Sequence, residues 1–160
     1  MKLYIKQKVF SLTDKYNICD ELGNTVFQVK RELLTLGAKF HVCDTSGNEL
    51  YFISQKLLTF LAEYNIFKGP LQYARVKKQL TLLKPKINVE SQYGNFEISG
   101  NVFSMNFEIL CDGRYVGSLT KKWLSWGDSY ELDIENEDDP AFFCCLAIAI
   151  DNCLHNESNS

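Results

Sequence analysis

Residues 141–150 read AFFCCLAIAI, ten apolar residues in succession. The residues before them suit the start of a helix, because Asp138 or Asp139 can act as the N-cap and Pro140 fits the first turn. A helix that is apolar on every side has no face for water, so it lies inside either a protein or a bilayer. The sequence therefore predicts a fully buried helix over about residues 140–154.

The length of this helix separates the two environments. Residues 141–154 span about 21 Å at a rise of about 1.5 Å per residue, whereas a helix that crosses a bilayer needs about 20 apolar residues. Asp151 also interrupts the apolar run after ten residues. We therefore expect burial inside the protein and no transmembrane span, with a membrane anchor as the alternative.

The chain before the helix is repetitive. FSLTDKYNICDELGNTV at residues 10–26 and LTLGAKFHVCDTSGNEL at residues 34–50 share one order of apolar, small polar, aromatic, Cys-Asp and Gly-Asn residues. Two short patterns then alternate along the chain, with six copies of each. The first, an apolar residue and an aliphatic residue two positions later, occurs at Tyr16/Ile18, Phe40/Val42, Tyr64/Ile66, Ile87/Val89, Phe107/Ile109 and Tyr130/Leu132. The second, an aliphatic residue and an apolar residue four positions later, occurs at Ile5/Val9, Val29/Leu33, Ile53/Leu57, Val76/Leu80, Ile98/Val102 and Leu119/Trp123. Both patterns have the period of two that is typical of a strand with one buried face.

Turn-forming residues separate the copies. They are Gly23-Asn24, Gly47-Asn48, Gly69-Pro70, Gly94-Asn95 and Asp112-Gly113. Gly, Asn and Asp tolerate the positive φ angles of tight hairpins. The pattern therefore predicts a meander of about twelve antiparallel strands, built from six hairpin-like units.

Strand number and helix together indicate the architecture. A flat sheet of twelve strands would expose its edges, whereas closure into a barrel removes them. Such a barrel is wider than the roughly eight-stranded kind that its own side chains fill, so it has room for the helix. We predict a mainly β fold, an antiparallel closed barrel of about 12 strands around a buried C-terminal helix. It forms one domain over residues 1–155 and leaves residues 156–160 as a disordered tail.

Three segments carry a resemblance to a known family. FSLTDKYNICDELGNTVFQV, GNELYFISQKLL and KKWLSWGDSYELDIENEDDPAFFCCLAIAIDNCLH resemble the bacterial LURP-one-related branch of the Tubby C-terminal-like superfamily, whose distant relatives include phospholipid scramblases. The most specific parts are Trp123–Asp128 and the helix, and the resemblance covers roughly residues 2–155. It implies a twelve-stranded barrel around a hydrophobic helix. Tubby proteins bind phosphoinositide head groups through basic residues on the barrel, but no residue motif for that site is matched here.

Residues suited to catalysis are scarce. His41 and His155 are the two histidines, and no Ser-His-Asp or Cys-His arrangement can be assembled around them. Neither a GxxxxGK[ST] nor a GxGxxG phosphate loop is present. We therefore expect no enzymatic activity and no cofactor, and a surface or capping role for both histidines.

Charge and cysteine content restrict the partners and the cellular location that we expect for the protein. A net charge of −3 argues against a dedicated nucleic-acid binder, which normally has a strong basic excess. None of the six cysteines forms a CxxC pair, and MKLYIKQKVF at residues 1–10 lacks the apolar core of a secretion signal. We predict buried free thiols, no metal site and a cytoplasmic protein. The patterns do not determine the oligomeric state.

The acidic run Glu131–Asp139 resembles a calcium loop only in part. Hard cations bind several carboxylate oxygens, but Asp133 and the acidic residues after it lack the glycine of the sixth loop position, and Cys144 stands at the twelfth. We expect solvated and helix-capping carboxylates, and a weak calcium site is the alternative.

The second pattern also predicts a basic surface. If both of its apolar residues face inward, the residues between them that face outward form a belt at one height on the barrel. The basic members of this belt and of its surroundings are Lys6, Lys8, Lys30, Lys56, Arg75, Lys77, Lys78 and Lys122, with Lys84 and Lys86 nearby. Such a belt could bind anionic phospholipid head groups or a phosphate-containing ligand, although lysine on a wet strand face also serves solubility.

Three functions therefore remain open at the level of the sequence. The leading one is a non-enzymatic cytoplasmic binding module that uses the basic belt. The alternatives are a membrane-associated protein similar to a scramblase, anchored by residues 141–154, and a carrier of a small ligand in a cavity beside the helix.

Overall fold

The computed structural model describes residues 1–6, 15–82, 84–124, 127–135 and 138–155, without the side chains of Lys6, residues 123–124, residues 127–128 and His155. The described residues form twelve strands, and one helix follows them in the chain. The strands are β1 (Lys2–Lys6), β2 (Lys15–Cys19), β3 (Thr25–Arg31), β4 (Lys39–Cys43), β5 (Glu49–Gln55), β6 (Glu63–Lys68), β7 (Leu71–Gln79), β8 (Lys86–Ser91), β9 (Gly94–Asn101), β10 (Asn106–Cys111), β11 (Arg114–Leu124) and β12 (Gly127–Ile134), and the helix is α1 (Pro140–His155).

The strands form a closed antiparallel barrel in which each strand pairs with its neighbours in sequence. Pairing of β1 with β12 closes the barrel and places Leu3 opposite Leu132. The alternation of burial along each strand follows from this register, since residues opposite one another point to the same face. Val29, for example, lies opposite Val42, and both are fully buried. The predicted architecture is confirmed.

Helix α1 fills the barrel. Phe142 and every residue from Cys144 to Ile150 have no exposed surface, as expected for a helix without a polar face. Among the residues that the structure describes, no helix is long and apolar enough to cross a membrane.

Asp139 begins the helix. Its carboxylate accepts a hydrogen bond from the backbone N–H of Phe142 at 3.1 Å and one from the hydroxyl of Tyr51 at 2.5 Å. The Nζ of Lys68 lies 3.5 Å from the same carboxylate. Asp139 is therefore the N-cap, and its contacts with β5 and β6 tie the start of the helix to the barrel wall.

The two ends of the barrel differ. The hairpin end carries the short turns at residues 20–24, 44–48, 69–70, 92–93 and 112–113, and α1 begins there. The loop end carries the longer connections 32–38, 56–62, 80–85 and 102–105, of which residue 83 is outside the described part. Helix α1 runs from the hairpin end toward the loop end. Residues 7–14 and 125–126 lie outside the described residues.

Two local expectations were wrong. In four copies of the second pattern the second apolar residue does not face inward, because β3, β5, β7 and β9 end before it; Leu33, Leu57, Leu80 and Val102 are all exposed. The turn expected at Gly94-Asn95 lies at residues 92–93, and Gly94 is the first residue of β9. The side chains of the Trp123–Asp128 motif and the expected tail at residues 156–160 lie outside the described residues.

Candidate functional site

A basic cluster on the barrel surrounds Glu63. This glutamate is buried, with 8% of its surface exposed, and its Oε1 accepts a hydrogen bond from the Nζ of Lys56 at 3.2 Å. The Nε of Arg75 lies 3.3 Å from the same oxygen, and Lys77 lies directly opposite Glu63 in the register of β6 and β7. Two cations therefore contact the carboxylate, and a third, Lys77, lies at the register position opposite Glu63. We call these four residues the Glu63 cluster.

The structure places these cations at one end of the barrel because of the strand order. Lys56 follows the last residue of β5, Glu63 begins β6, and Lys77 lies near the end of β7. In an antiparallel meander, the end of one strand and the start of the next are at the same height. The Nε–H of Arg75 is buried and has no hydrogen-bond partner within the described structure, so its distance to Glu63 reflects charge attraction rather than an aligned hydrogen bond.

Lys122 does not belong to this cluster. It lies on β11, which is five strands from β6 in the order of the twelve-stranded barrel. Its Nζ is 3.7 Å from Glu131, which also accepts from Lys2 at 3.4 Å and from the hydroxyl of Tyr4 at 2.9 Å. Burial, followed by this hydrogen bond and the charge of Glu131, raises the pKa of Tyr4 to about 12. The basic surface is therefore divided into separate arcs rather than forming a continuous belt.

The other predicted members have different positions. Lys30 lies on β3 between Lys15 and His41 of the neighbouring strands. Lys6 is the last residue of β1, but its side chain is not described, and Lys8 lies outside the described residues. Lys78 lies opposite the buried Ile87. Its register therefore places it on the inward face of the wall, and not on the outward face with Lys77.

Two further basic residues share this inward register and were missed by the sequence analysis. Arg31 lies opposite the buried Phe40, with its guanidinium carbon 5.7 Å from the centre of that ring. Lys121 lies opposite the buried Tyr130. Each residue, like Lys78, comes two positions after the inward aliphatic of the second pattern. Continuing the period of two beyond that aliphatic residue would have found them.

One of these inward cations, Arg31, acts electrostatically on the same buried tyrosine as Asp151 of α1. Burial first and the charge of Asp151 second raise the pKa of Tyr16 well above its usual range, while Arg31 acts in the opposite direction. Tyr16 therefore interacts electrostatically with both Asp151 and Arg31. Cations near a helix C-terminus also offset the negative end of the helix dipole.

His41 is held between two carboxylates. Its Nδ1 lies 2.5 Å from Glu49 and its Nε2 lies 2.9 Å from Glu32. Burial lowers the pKa of His41, but the hydrogen bonds to Glu49 and Glu32 outweigh that effect and raise the pKa overall. The hydrogen bond to His41 contributes most to lowering the pKa of Glu32. This arrangement favours a protonated, positively charged His41 that pairs with the two carboxylates.

None of the six cysteines forms a disulfide in the part of the chain that the structure describes. Cys144 and Cys145 lie inside the barrel, and burial raises the pKa of both thiols. A raised pKa suppresses the thiolate, which is the reactive form of cysteine. The cytoplasmic location inferred from cysteine content stays a prediction.

The acidic run before the helix is occupied by other contacts. Glu131 and Asp133 both lie within 4.0 Å of Lys2, and Asp139 caps the helix. Among the described residues, no group of three or more His, Cys, Asp or Glu side chains could hold a metal ion; Glu137 lies outside them.

A cavity of about 350 Å³ opens at the hairpin end, beside the start of α1. Its wall is largely aromatic, with Phe96 and Phe143 from the core and Tyr93 and Tyr115 nearer the surface. Arg114 and Glu135 also line it. The cavity is on the opposite end of the barrel from the Glu63 cluster, so the two features are independent.

Comparison with known proteins places the chain in a family. The family model described as LURP-one-related matches residues 1–151. The chain belongs to the LURP-one-related family. This LURP-one-related protein is similar to YxjI of Bacillus subtilis (strain 168), which is described as an uncharacterized protein. The two sequences are 38% identical over 160 residues, and the match covers 99% of this chain and 97% of YxjI.

A solved structure has the same fold. The X-ray structure of a protein from Arabidopsis thaliana superposes on this LURP-one-related chain with a TM-score of 0.67 at 18% identity. The match covers 94% of this chain and 89% of the plant protein. At this identity the likeness shows the fold alone.

Proposed function

We propose that this LURP-one-related protein is a non-enzymatic binding module that holds anionic groups, either phospholipid head groups or phosphate-containing ligands, on its basic surface. The observation that carries the proposal is the Glu63 cluster. Lys56 and Arg75 contact one buried carboxylate and Lys77 lies opposite it on the neighbouring strand, which leaves two positive charges in excess on a chain whose net charge is −3.

The contacts within the cluster favour binding of an anion. Glu63 holds the side chains of Lys56 and Arg75 in place, so less side-chain entropy is lost when a ligand binds. The guanidinium of Arg75 can direct its other N–H groups to two oxygens of one phosphate. Lys77 adds a third cation on β7, at the position opposite Glu63 of β6.

The state of the possible nucleophiles and bases supports a non-enzymatic role. His41 has both ring nitrogens engaged by carboxylates, and the pKa values of the Cys144 and Cys145 thiols are raised by burial. Neither arrangement prepares a general base or a thiolate nucleophile.

The test removes charge from the cluster while Arg75 is retained to neutralise Glu63. We compare Lys56→Gln with Lys77→Gln in one variant against a control that carries Lys2→Gln and Arg114→Gln, which changes the net charge equally. Binding is measured by titration calorimetry with inorganic pyrophosphate and by sedimentation with phosphatidylserine vesicles. The two probes distinguish a free phosphate ligand from a lipid head group.

Loss of two lysines, each contributing about 1 kcal/mol near an anionic group, should weaken binding about 30-fold. The control variant should bind as the wild type does. If the wild-type chain binds neither probe, or if both variants lose affinity equally, the proposed function is wrong.

A further inference from the structure

The loop end of the barrel exposes a group of large apolar side chains. Connection 32–38 exposes Leu33, Leu34 and Leu36, and connection 56–62 exposes Leu57, Leu58 and Phe60. Leu82 and Phe103 project from the two remaining described connections. Single exposed apolar residues are common, but a contiguous group at one end of a molecule marks an interaction surface.

Two of these loops repeat one sequence and one backbone conformation. Glu32–Ala38 reads ELLTLGA and Lys56–Ala62 reads KLLTFLA. In both loops the second leucine, Leu34 or Leu58, has a φ of 60° and a relative exposure of 106%. A bulky side chain disfavours the left-handed region, and no packing compensates a fully exposed leucine. Exposure and backbone strain therefore coincide at the same position of both loops.

Charge is also distributed unevenly between the two ends. Within three residues of the described loop-end connections, the sequence has eight Lys or Arg residues and three Glu residues. Within three residues of the hairpin turns, it has two Lys or Arg residues and six Asp or Glu residues. The apolar loops are thus bordered by basic strand ends, although the chain as a whole is acidic.

This combination matches the surface of an anionic bilayer, in which a layer of phosphates covers an apolar interior. The loops leave one end of a closed barrel, so their tips face in one direction. A second copy of the chain fits less well, because a two-fold contact would bring the same basic surface against itself.

We propose that the loop end docks on anionic phospholipid membranes, with Leu34 and Leu58 inserted below the head groups and the basic strand ends in contact with the phosphates. The inference rests on the proposed function for the head-group contacts, and it adds insertion of the apolar loops. Insertion removes the apolar surface of Leu34 and Leu58 from water. The free energy gained in this way offsets the cost of exposing these side chains in the free protein.

The first test replaces both leucines with asparagine, Leu34→Asn and Leu58→Asn, because asparagine tolerates a positive φ and should preserve the fold. The control carries Leu22→Asn and Leu71→Asn, two exposed leucines at the hairpin end. Partition is measured by sedimentation with phosphatidylcholine vesicles that contain about one-third phosphatidylserine.

We expect the loop variant to lose about 100-fold in vesicle partition, about tenfold for each leucine, and the control to partition as the wild type does. Pyrophosphate binding should be unchanged in both variants, because the Glu63 cluster is intact. Equal partition of the loop variant and the wild type would overturn insertion and leave the proposed function standing, whereas a wild-type chain that binds neither pyrophosphate nor anionic vesicles would remove the proposed function itself.

The second test reports insertion directly. Phe60→Trp places a fluorophore in the second loop, and its emission is obtained as the difference from the wild-type protein with its two native tryptophans. Insertion predicts a blue shift on addition of anionic vesicles and quenching by brominated lipid. An unchanged spectrum on bound protein would overturn the inference, as would a concentration-dependent dimer that the Leu34 and Leu58 substitutions abolish.

Discussion

Phe142 provides the sharpest test of how the barrel is held together. Its ring is fully buried at the first turn of α1, and its centre lies 5.3 Å from that of Tyr73, 5.7 Å from those of Tyr93 and Phe96, and 5.9 Å from that of Tyr51. We predict that Phe142→Ala strongly destabilises the protein, because the helix, strands β5, β7 and β9 and the turn at residues 92–93 share this contact.

The size of the effect follows from two contributions. Phe→Ala substitutions in protein cores cost about 3–5 kcal/mol. Each aromatic pair contributes about 0.5–1.5 kcal/mol beyond its buried area, which places this site toward the upper part of that range. We expect the free energy of unfolding to fall by about 4 kcal/mol. With a urea dependence of about 2 kcal/mol/M, the unfolding midpoint should fall by about 2 M.

The measurement is urea unfolding followed by far-UV circular dichroism and by fluorescence. Phe60→Ala is the matched control, because it removes the same ring from a side chain that is 93% exposed. The control should change the unfolding free energy by less than about 0.5 kcal/mol. If the unfolding free energies of Phe142→Ala and Phe60→Ala differ by less than about 1 kcal/mol, the packing of the helix does not stabilise the barrel as we reason.

Further predictions concern the surface pair, the helix cap, a thiol and a close backbone contact. The pKa of His41 is raised in the folded protein above its usual 6.5, so its contribution to stability is complete below that pH and is lost as the pH rises through the folded value; His41→Gln should therefore destabilise the protein more at low pH than at high pH in urea titrations. Asp139→Ala removes the N-cap and should cost about 1–3 kcal/mol in thermal unfolding, and a loss no greater than that of Glu108→Ala, which removes an exposed carboxylate, would contradict the capping role. Cys145 should react with a thiol reagent at the rate of global unfolding, since it is fully buried and its pKa is raised; rapid labelling of the native protein would show that the barrel opens locally. Gly100→Ala would place a Cβ 2.1 Å from the carbonyl oxygen of Asn106, so we expect a lower melting temperature than for wild type, and an unchanged value would show that β9 and β10 separate easily.

The periodicity of the sequence was sufficient for the architecture. Alternating residues such as Tyr16 and Ile18 specify a buried strand face, and the ten apolar residues of 141–150 specify a helix without a solvent face. A wide barrel and a fully apolar helix complement each other, which is why this part of the prediction was correct.

The ends of the strands could not be predicted in the same way. Leu33 and Leu57 continue the apolar pattern of their strands, but pairing stops at Arg31 and Gln55, so both leucines are exposed. The sequence does not indicate where cross-strand hydrogen bonds end, because that depends on the register of the neighbouring strand.

The amino-acid sequence by itself determined the strand period, the helix and the identity of the basic residues. Only the tertiary structure decided which of those residues meet. Register brings Lys56, Arg75 and Lys77 to Glu63 and turns Lys78 to the inner face, while the closed meander gathers the leucine loops at one end. The physical reason is that periodicity is local in the chain, whereas the neighbours of a side chain in a barrel come from separate strands.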